Sequence, residues 1–306
     1  MCLVLFSYQP DSDFPLVVAA NRDEFYARPA ESAHHWPDAP QVFAGRDLSA
    51  GGSWLGVTTN GRFATVTNFA EEADGPEPPL SRGALVGDFL MGEANAHQFS
   101  HQIHGPDYRG FNLLTYDGSR LSYTSNRGYT EDLGPGVYGL ANAELGATWP
   151  KVVSGRDALA SVAAEPDTDS LIRLLHDSRQ PDDADLPKRG RPLELERRVA
   201  PCFIRGEEYG TRASTAVIFD ARQGKILFAE QLYLAGAPLK EIMFWTPRFG
   251  GVGVGISILS YAGQVYLGVV SDQDRVPDPE AIISAFHDEF DAMLALVPEP
   301  ETQKDH

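Results

Sequence analysis

The sequence predicts an α+β fold: antiparallel sheet covered by helices, or a four-layer sandwich of the same elements. Three observations predict it. Short apolar runs separated by turn residues recur near the start, at 51–68 and at 214–230, and each reads as a hairpin. Helical segments lie between these hairpins without alternating with single strands, so a regular parallel sheet is not expected. The 306 residues are 42% hydrophobic and 22% charged, enough to bury a core without disulfides or metals.

The elements follow in order. "CLVLFSY" (2–8) and "PLVVAA" (15–20) are rich in strand formers and flank a turn from Pro10 to Phe14. "WLGVTT" and "RFATVTN" flank Asn60-Gly61, a strong hairpin signal. Residues 81–103 read as one helix with Leu85, Phe89 and Leu90 on a single face. Strands are expected at 111–116, 121–125 and 137–141. Residues 167–178 read as a helix capped by the acids Asp167 to Asp169. A polar, proline-rich loop covers 180–192, and the hairpin at 214–230 turns at Arg222 to Gly224. From Gly236 the character changes. A hairpin turns at Ala262-Gly263, and Pro277 to Pro279 open a helix. Its Ile282, Ile283, Phe286, Phe290, Met293 and Val297 form one stripe, followed by a polar tail.

The formal net charge is −18, from 43 acids against 25 bases, which argues against nucleic acid or anionic lipid surfaces as partners. The two cysteines, Cys2 and Cys202, make no disulfide framework and suit a reducing compartment. No Cys or His ligand spacing points to a zinc site. The first ten residues are too short and lack the bases for a signal peptide. No apolar run reaches the ~20 residues of a membrane helix. The expectation is a soluble, cytoplasmic protein with no transmembrane segment.

The chemistry concentrates at the N-terminus. Removal of Met1 would expose Cys2, whose α-amine, with a reference pKa of ~7.7–8.0, is partly neutral at pH 7. That amine can take the thiol proton and later protonate a leaving amine. If 2–8 pairs with 15–20, the stretch "NRDE" (21–24) returns to Cys2. Asp23 can then hold the amine, and Arg22 can face a thiolate or a substrate carboxylate. In an extended strand Arg22 and Asp23 point opposite ways, so both reach Cys2 only if the strand ends or bulges there.

"MC" with "LVVAANRDEFYARP", Trp36, "GGSWLGVTTNGRFATVTNF" (51–69) and "SRGALVGDFL" (81–90) stand in one order. "GFNLL" (110–114), "SNRG" (125–128), "GVYGLANAEL" (136–145), Trp149-Pro150-Lys151 and "RGEEYGTRAST" (205–215) follow. In these motifs residues 1 to about 230 resemble the NRDE family, also called the transport and Golgi organisation protein 2 family. The resemblance implies an αββα sandwich similar to the N-terminal nucleophile hydrolases, some of which use an N-terminal Cys. It implies Cys2 as nucleophile, Asp23 as the acid that positions the amine, and Asn68 as an oxyanion donor. Asn142 would be a second substrate-facing amide and Arg212 a second active-site Arg. One departure stands out: the bile-salt and penicillin acylases among those N-terminal-Cys enzymes place two residues between their Arg and Asp, whereas Arg22 and Asp23 are adjacent.

Residues 236–296 instead resemble the C-terminal end of wax ester synthase/diacylglycerol acyltransferases. The HHxxxDG motif of those enzymes is absent, and "HHWPDAP" (34–40), with Ala39, does not supply it. Two regions are therefore expected, 1–235 and 236–306. The reading is a hydrolase of a non-peptide C–N amide bond working through a Cys2 thioester, with a small-molecule amide or lipid-like ligand and no required cofactor. The alternative is a non-catalytic carrier of haem, lipid or acyl-CoA on the same fold. His34 and His35 read as part of a polar loop, and Cys202 as a buried thiol.

Overall fold

The computed structural model describes residues 3–70, 76–187, 192–239, 254–261, 264–271 and 278–294. The chain divides into two compact units, 1–238 and 239–306. In the first, the strands are β1 (Leu3–Tyr8), β2 (Leu16–Phe25), β3 (Ala30–Trp36), β4 (Ala39–Asp47), β5 (Leu55–Thr58) and β6 (Phe63–Asn68). Helices α1 (Arg82–Met91) and α2 (Ala96–Gln102) follow, then β7 (Phe111–Tyr116), β8 (Leu121–Ser125), β9 (Thr130–Asp132) and β10 (Gly136–Leu140). Helices α3 (Pro150–Val162), α4 (Thr168–Leu174) and α5 (Leu193–Val199) precede β11 (Tyr209–Asp220), β12 (Lys225–Leu234) and β13 (Ala237–Pro238).

These strands form two antiparallel sheets. One runs β10-β1-β2-β11-β12-β13 and the other β3-β4-β5-β6-β7-β8-β9. Side chains alternate across each strand, so each sheet has two apolar faces to cover. Val4, Phe6, Leu16 and Val18 of the first sheet meet Leu55, Val57, Phe63 and Leu114 of the second. The other face of the first sheet, through Leu5, Val17, Ala19 and Ile218, packs on Val152 and Leu159 of α3 and Leu171 of α4. The other face of the second, through Val42, Ala64 and Leu113, packs on Leu85, Val86 and Phe89 of α1. The layers are therefore helix, sheet, sheet, helix, as expected.

Several local expectations change. The helix expected over 81–103 is two helices. Ser81 caps α1 by accepting from the Gly83 N–H, α1 ends at Gly92, and Asn95 restarts the chain by accepting from the Gln98 N–H. The helix at 167–178 is shorter: Asp167 accepts from the Ser170 N–H, and α4 stops at Leu174. The pattern along 30–47 predicts no element, yet β3 and β4 pair there. His34 and His35 thus lie on an edge strand, not in a loop, with Nδ1 bonded to the Ser32 and Pro40 carbonyls. The β5–β6 turn spans 59–61, with the left-handed backbone at Gly61 (φ 88°) but not at Asn60. That is the three-residue hairpin, not the two-residue one.

In the second unit β14 (Val254–Tyr261) pairs with β15 (Gln264–Ser271). The expected turn residues 262–263 lie outside the described residues. Helix α6 (Pro279–Leu294) packs on β15 and is capped by Asp278, which accepts from the Ala281 N–H. Ile282, Ile283 and Phe286 share its less exposed side, as the stripe predicts, and Val297 lies outside the described residues.

Two glycines separate backbone freedom from packing. Gly52 has φ 69°, and a Cβ there would sit 2.2 Å from the Gly83 carbonyl oxygen. Gly61 has φ 88° with nothing within 4 Å of such a Cβ. Gly61→Ala should cost about 1–2 kcal/mol of left-handed strain. Gly52→Ala should cost that plus about 1–3 kcal/mol of overpacking. Urea denaturation of the two variants measures the difference; equal midpoints would contradict the contact.

Candidate active site

β2 is a central strand, flanked by β1 and β11, and its polar end is buried with it. Leu3, the first described residue of β1, pairs with Asn21, and β2 then runs on through Phe25 against β11. The strand neither ends nor bulges at "NRDE". The irregularity lies in β11, between Thr211 and Ala213, and leaves Arg212 as the extra residue. Arg22 and Asp23 therefore face opposite sides of the sheet.

On the helix-covered side the polar groups are fastened. Asn21 Nδ2 donates to the Cys202 and Leu175 carbonyls at 2.8 and 3.0 Å, and its Oδ1 accepts from Ser214 Oγ at 2.6 Å. Asp23 Oδ1 accepts from Thr211 Oγ1 at 2.7 Å, and Thr211 in turn accepts from the Ile204 N–H. Cys202 is a buried thiol, pushed up to about 12 first by burial, and it donates to the Leu175 carbonyl. That is a structural cysteine, not a nucleophile.

On the inter-sheet side Arg22 is 5% exposed and lies over the Trp54 ring at 4.0 Å. Among the described residues its guanidinium makes no hydrogen bond or ion pair. Burial, then the charge of Arg212, lowers its pKa to about 10, so it stays protonated at neutral pH. Trp54 fits because β4 has a glycine beneath it: a Cβ on Gly45 would lie 2.2 Å from the indole. Arg22, Trp54 and Asn68 line a cleft of about 110 Å³ with Glu24, Arg28, Asp47, Ser53 and the first turn of α1.

Asn68 ends β6, is exposed, and its amide has no partner among the described residues. Asn142 lies beside it: Asn142 Nδ2 donates to the Asn68 carbonyl at 2.8 Å, and the Asn142 carbonyl accepts from the Ala70 N–H. Thr67 Oγ1 and Asn112 Nδ2 hold the carbonyls of Ala141 and Ala143 at 2.9 Å each, tying this segment to the second sheet. Arg212 Nη1 donates to the Arg28 and Phe25 carbonyls, so it braces the turn after β2. Cys2 lies outside the described residues. Arg22, Asn68 and Asn142 thus share one end of the sandwich, Asp23 is on the far face of β2, and Arg212 joins them through charge and backbone.

Trp54, Gly45, Ser53 and Arg82 were not among the expected site residues. The Gly51-Gly52 pair before Ser53-Trp54 was the available signal, since both glycines have φ 69°. Among the described residues no group of three or more His, Cys, Asp or Glu could hold a metal. No helix among them is long and apolar enough to cross a membrane.

The sequence profile described as Transport and Golgi organisation 2 matches residues 1–235. The chain belongs to that family. The Transport and Golgi organization protein 2 homolog of Bos taurus is 33% identical over 78% of this chain and 96% of its own length. The Homo sapiens homolog is 32% identical over 81% and 97%. The Drosophila melanogaster protein is 27% identical over 76% and 92%. Residues 229–294 match the sequence profile described as the WS/DGAT C-terminal domain, overlapping the first match at 229–235. Two solved structures are also similar. A Caenorhabditis elegans N-acylethanolamine-hydrolyzing acid amidase ortholog covers 73% of this chain and 95% of its own, at 9% identity and TM-score 0.42. A mutant conjugated bile acid hydrolase from Clostridium perfringens covers 75% and 92%, at 9% and 0.41. At such values neither likeness carries an argument, and the layer order stands on the strand pairing above.

Asp47, one wall of the cleft, gives a pH test. Burial acts to raise its pKa, but Arg28 Nε at 2.8 Å and the Ala50 and Ser49 N–H groups outweigh it and hold the carboxyl below its ordinary range. A depressed folded pKa stabilises above the unfolded value of ~3.9 and is lost as pH falls through the folded one. Asp47→Asn should therefore be less stable by about 1–2 kcal/mol at pH 7. In chemical denaturation that gap should close below pH ~4; a gap that widens there would reverse the sign.

Proposed function

We propose that this Transport and Golgi organisation 2 protein is an N-terminal-cysteine hydrolase of a non-peptide C–N amide bond. The supporting observation is one shared edge. Cys2 is bonded to Leu3, and Leu3 pairs with the first residue of the buried Asn21–Arg22–Asp23 run. Asn68 and Asn142 stand at the same end, with the Asn68 amide open to a ligand.

With Met1 removed, the α-amine of Cys2 accepts the thiol proton. Because Asp23, fixed by Thr211, lies on the helix-covered face of β2, the mechanism requires this main-chain amine to turn to that face, where Asp23 holds the resulting ammonium. The thiolate attacks the amide carbon, and the carbonyl oxygen becomes an oxyanion. Asn68 Nδ2 is the donor for that charge, a contribution of about 2.7–4 kcal/mol for one such donor. The ammonium returns its proton to the leaving amine as the C–N bond breaks, leaving a thioester on Cys2. Water then attacks the thioester, gives its proton to the amine, and releases the acid and the thiol. Asn142 and Arg212 position this machinery: Asn142 holds the Asn68 carbonyl, and Arg212 holds the turn after β2.

A different feature favours the second reading, a carrier. At the other end of the sandwich a groove of about 750 Å³ is lined by Phe43, Phe219, Phe228, Val57 and Ile226, with His35 on its wall. His35 Nδ1 faces the Pro40 carbonyl, which can only accept, so in the neutral ring the proton sits on Nδ1 and Nε2 is the free acceptor. Haem cargo would suit that wall; lipid or acyl-CoA would use its apolar part alone. Titration with haem tests it: a Soret shift lost in His35→Ala supports the carrier, and calorimetry with acyl-CoA tests the lipid form.

The hydrolase is tested by intact-protein mass spectrometry before and after treatment with a small thiol electrophile. The expected result is a mass lacking Met1 and fast single labelling that disappears in Cys2→Ala, with an unchanged circular dichroism spectrum. Retention of Met1, or labelling no faster than a free thiol, would sink the mechanism.

A further inference from the structure

A buried guanidinium with no partner is costly, because it has given up water without replacing its hydrogen bonds. Arg22 approaches that condition: it is 5% exposed, no described residue accepts from its guanidinium, and its donors keep solvent contact where they open into the cleft. Trp54 holds it from one side through the ring face, which compensates part of the charge but accepts none of its five N–H donors. Those donors match a planar or tetrahedral oxyanion in geometry as well as in sign.

The rest of the cleft has the same polarity. The first turn of α1 lines it with Ser81 and Gly83, and that turn carries no acidic residue to offset the positive end of the helix. Two acids also face the cleft, and both are engaged. Asp47 accepts from Arg28 Nε and from two backbone N–H groups. Glu24 accepts from the Phe25 N–H at 2.8 Å and lies 3.9 Å from Arg28 Nε. With a volume of about 110 Å³ the cleft is small and admits the head of a ligand.

We propose that this cleft is an oxyanion subsite, in which Arg22, backed by Trp54 and the N-terminus of α1, binds a carboxylate or phosphate group on a small-molecule ligand. Asn68 lines the same cleft, so the oxyanion lies next to the amide that the hydrolase reading assigns to the reacting carbonyl. The substrate class that follows is an amide carrying an acidic group close to its scissile bond. That class rests on the Cys2 reading, whereas oxyanion binding does not.

The probes are inorganic phosphate and acetate, titrated separately into the full-length protein by calorimetry at constant ionic strength, with chloride as the control. Saturable binding of at least one is expected, and the tighter of the two identifies phosphate or carboxylate as the preferred head. Arg22→Met should weaken it by about tenfold or more. Arg156→Ala, on the exposed surface of α3 and outside the cleft, should leave it unchanged. If Arg22→Met does not fold, the arginine Nε–H spectrum of the wild-type protein gives the readout. One resonance, assigned with Arg22→Lys, should shift saturably with the anion. No binding above the chloride control, equal binding in Arg22→Met, or a shift at another arginine instead would overturn the subsite. Failure of the hydrolase would show as an inert Cys2 with anion binding intact; failure of the subsite would show as a reactive Cys2 with no anion binding.

Discussion

Burying Arg22 in a central strand constrains everything around it. The guanidinium can leave water there only if something receives its charge, and the receiving group is the face of Trp54. Trp54 can lie flat at that depth only because Gly45 on β4 offers no Cβ. It arrives there because Gly51 and Gly52 take left-handed backbone and press against the first turn of α1. One buried cation thus couples the first sheet, the second sheet and the helix that covers the second sheet. The same contacts leave its donors facing a small polar cleft.

Alternation along β2 divides the labour between the two faces of the sheet. Asn21 and Asp23 turn toward the helix layer, where the Leu175 and Cys202 carbonyls, Ser214 and Thr211 meet them. Arg22 and Glu24 turn between the sheets and build the cleft. An adjacent Arg-Asp pair therefore does not act as one ion pair. The bulge at Arg212 in β11 lets a second guanidinium reach the carbonyls of the turn after β2.

The two ends of the sandwich differ in chemistry for a related reason. At one end the sheets are tied by buried hydrogen bonds from Thr67 and Asn112 to residues 141 and 143. Such bonds are stable only if satisfied, so they fix Asn68 and Asn142 in place. At the other end aromatic residues, Phe43 against Phe228 and Tyr116 against Phe219, line the space between the sheets and leave a wider groove. The polar end suits chemistry, and the aromatic end suits an apolar ligand.

The sequence by itself determined an α+β fold of antiparallel hairpins and covering helices, because hairpin spacing and apolar periodicity are local signals that need no partner to be read; the four-layer order came from the family resemblance. It also carried the family, through motifs that stand in order from Cys2 to Thr215. It has Asn68 closing the expected strand "RFATVTN" and Asn142 following the strand expected at 137–141, as they do in the structure. It did not show that β2 continues through "NRDEF", because four polar residues look like an exit to solvent until β11 pairs with them. It did not show β3 and β4, whose mixed buried and exposed positions follow no clear period of two. Only the tertiary structure decided which way Arg22 faces and what lies under it. Those facts depend on Gly45, Trp54 and Ser81, far apart in the chain and adjacent only once two sheets and a helix have packed.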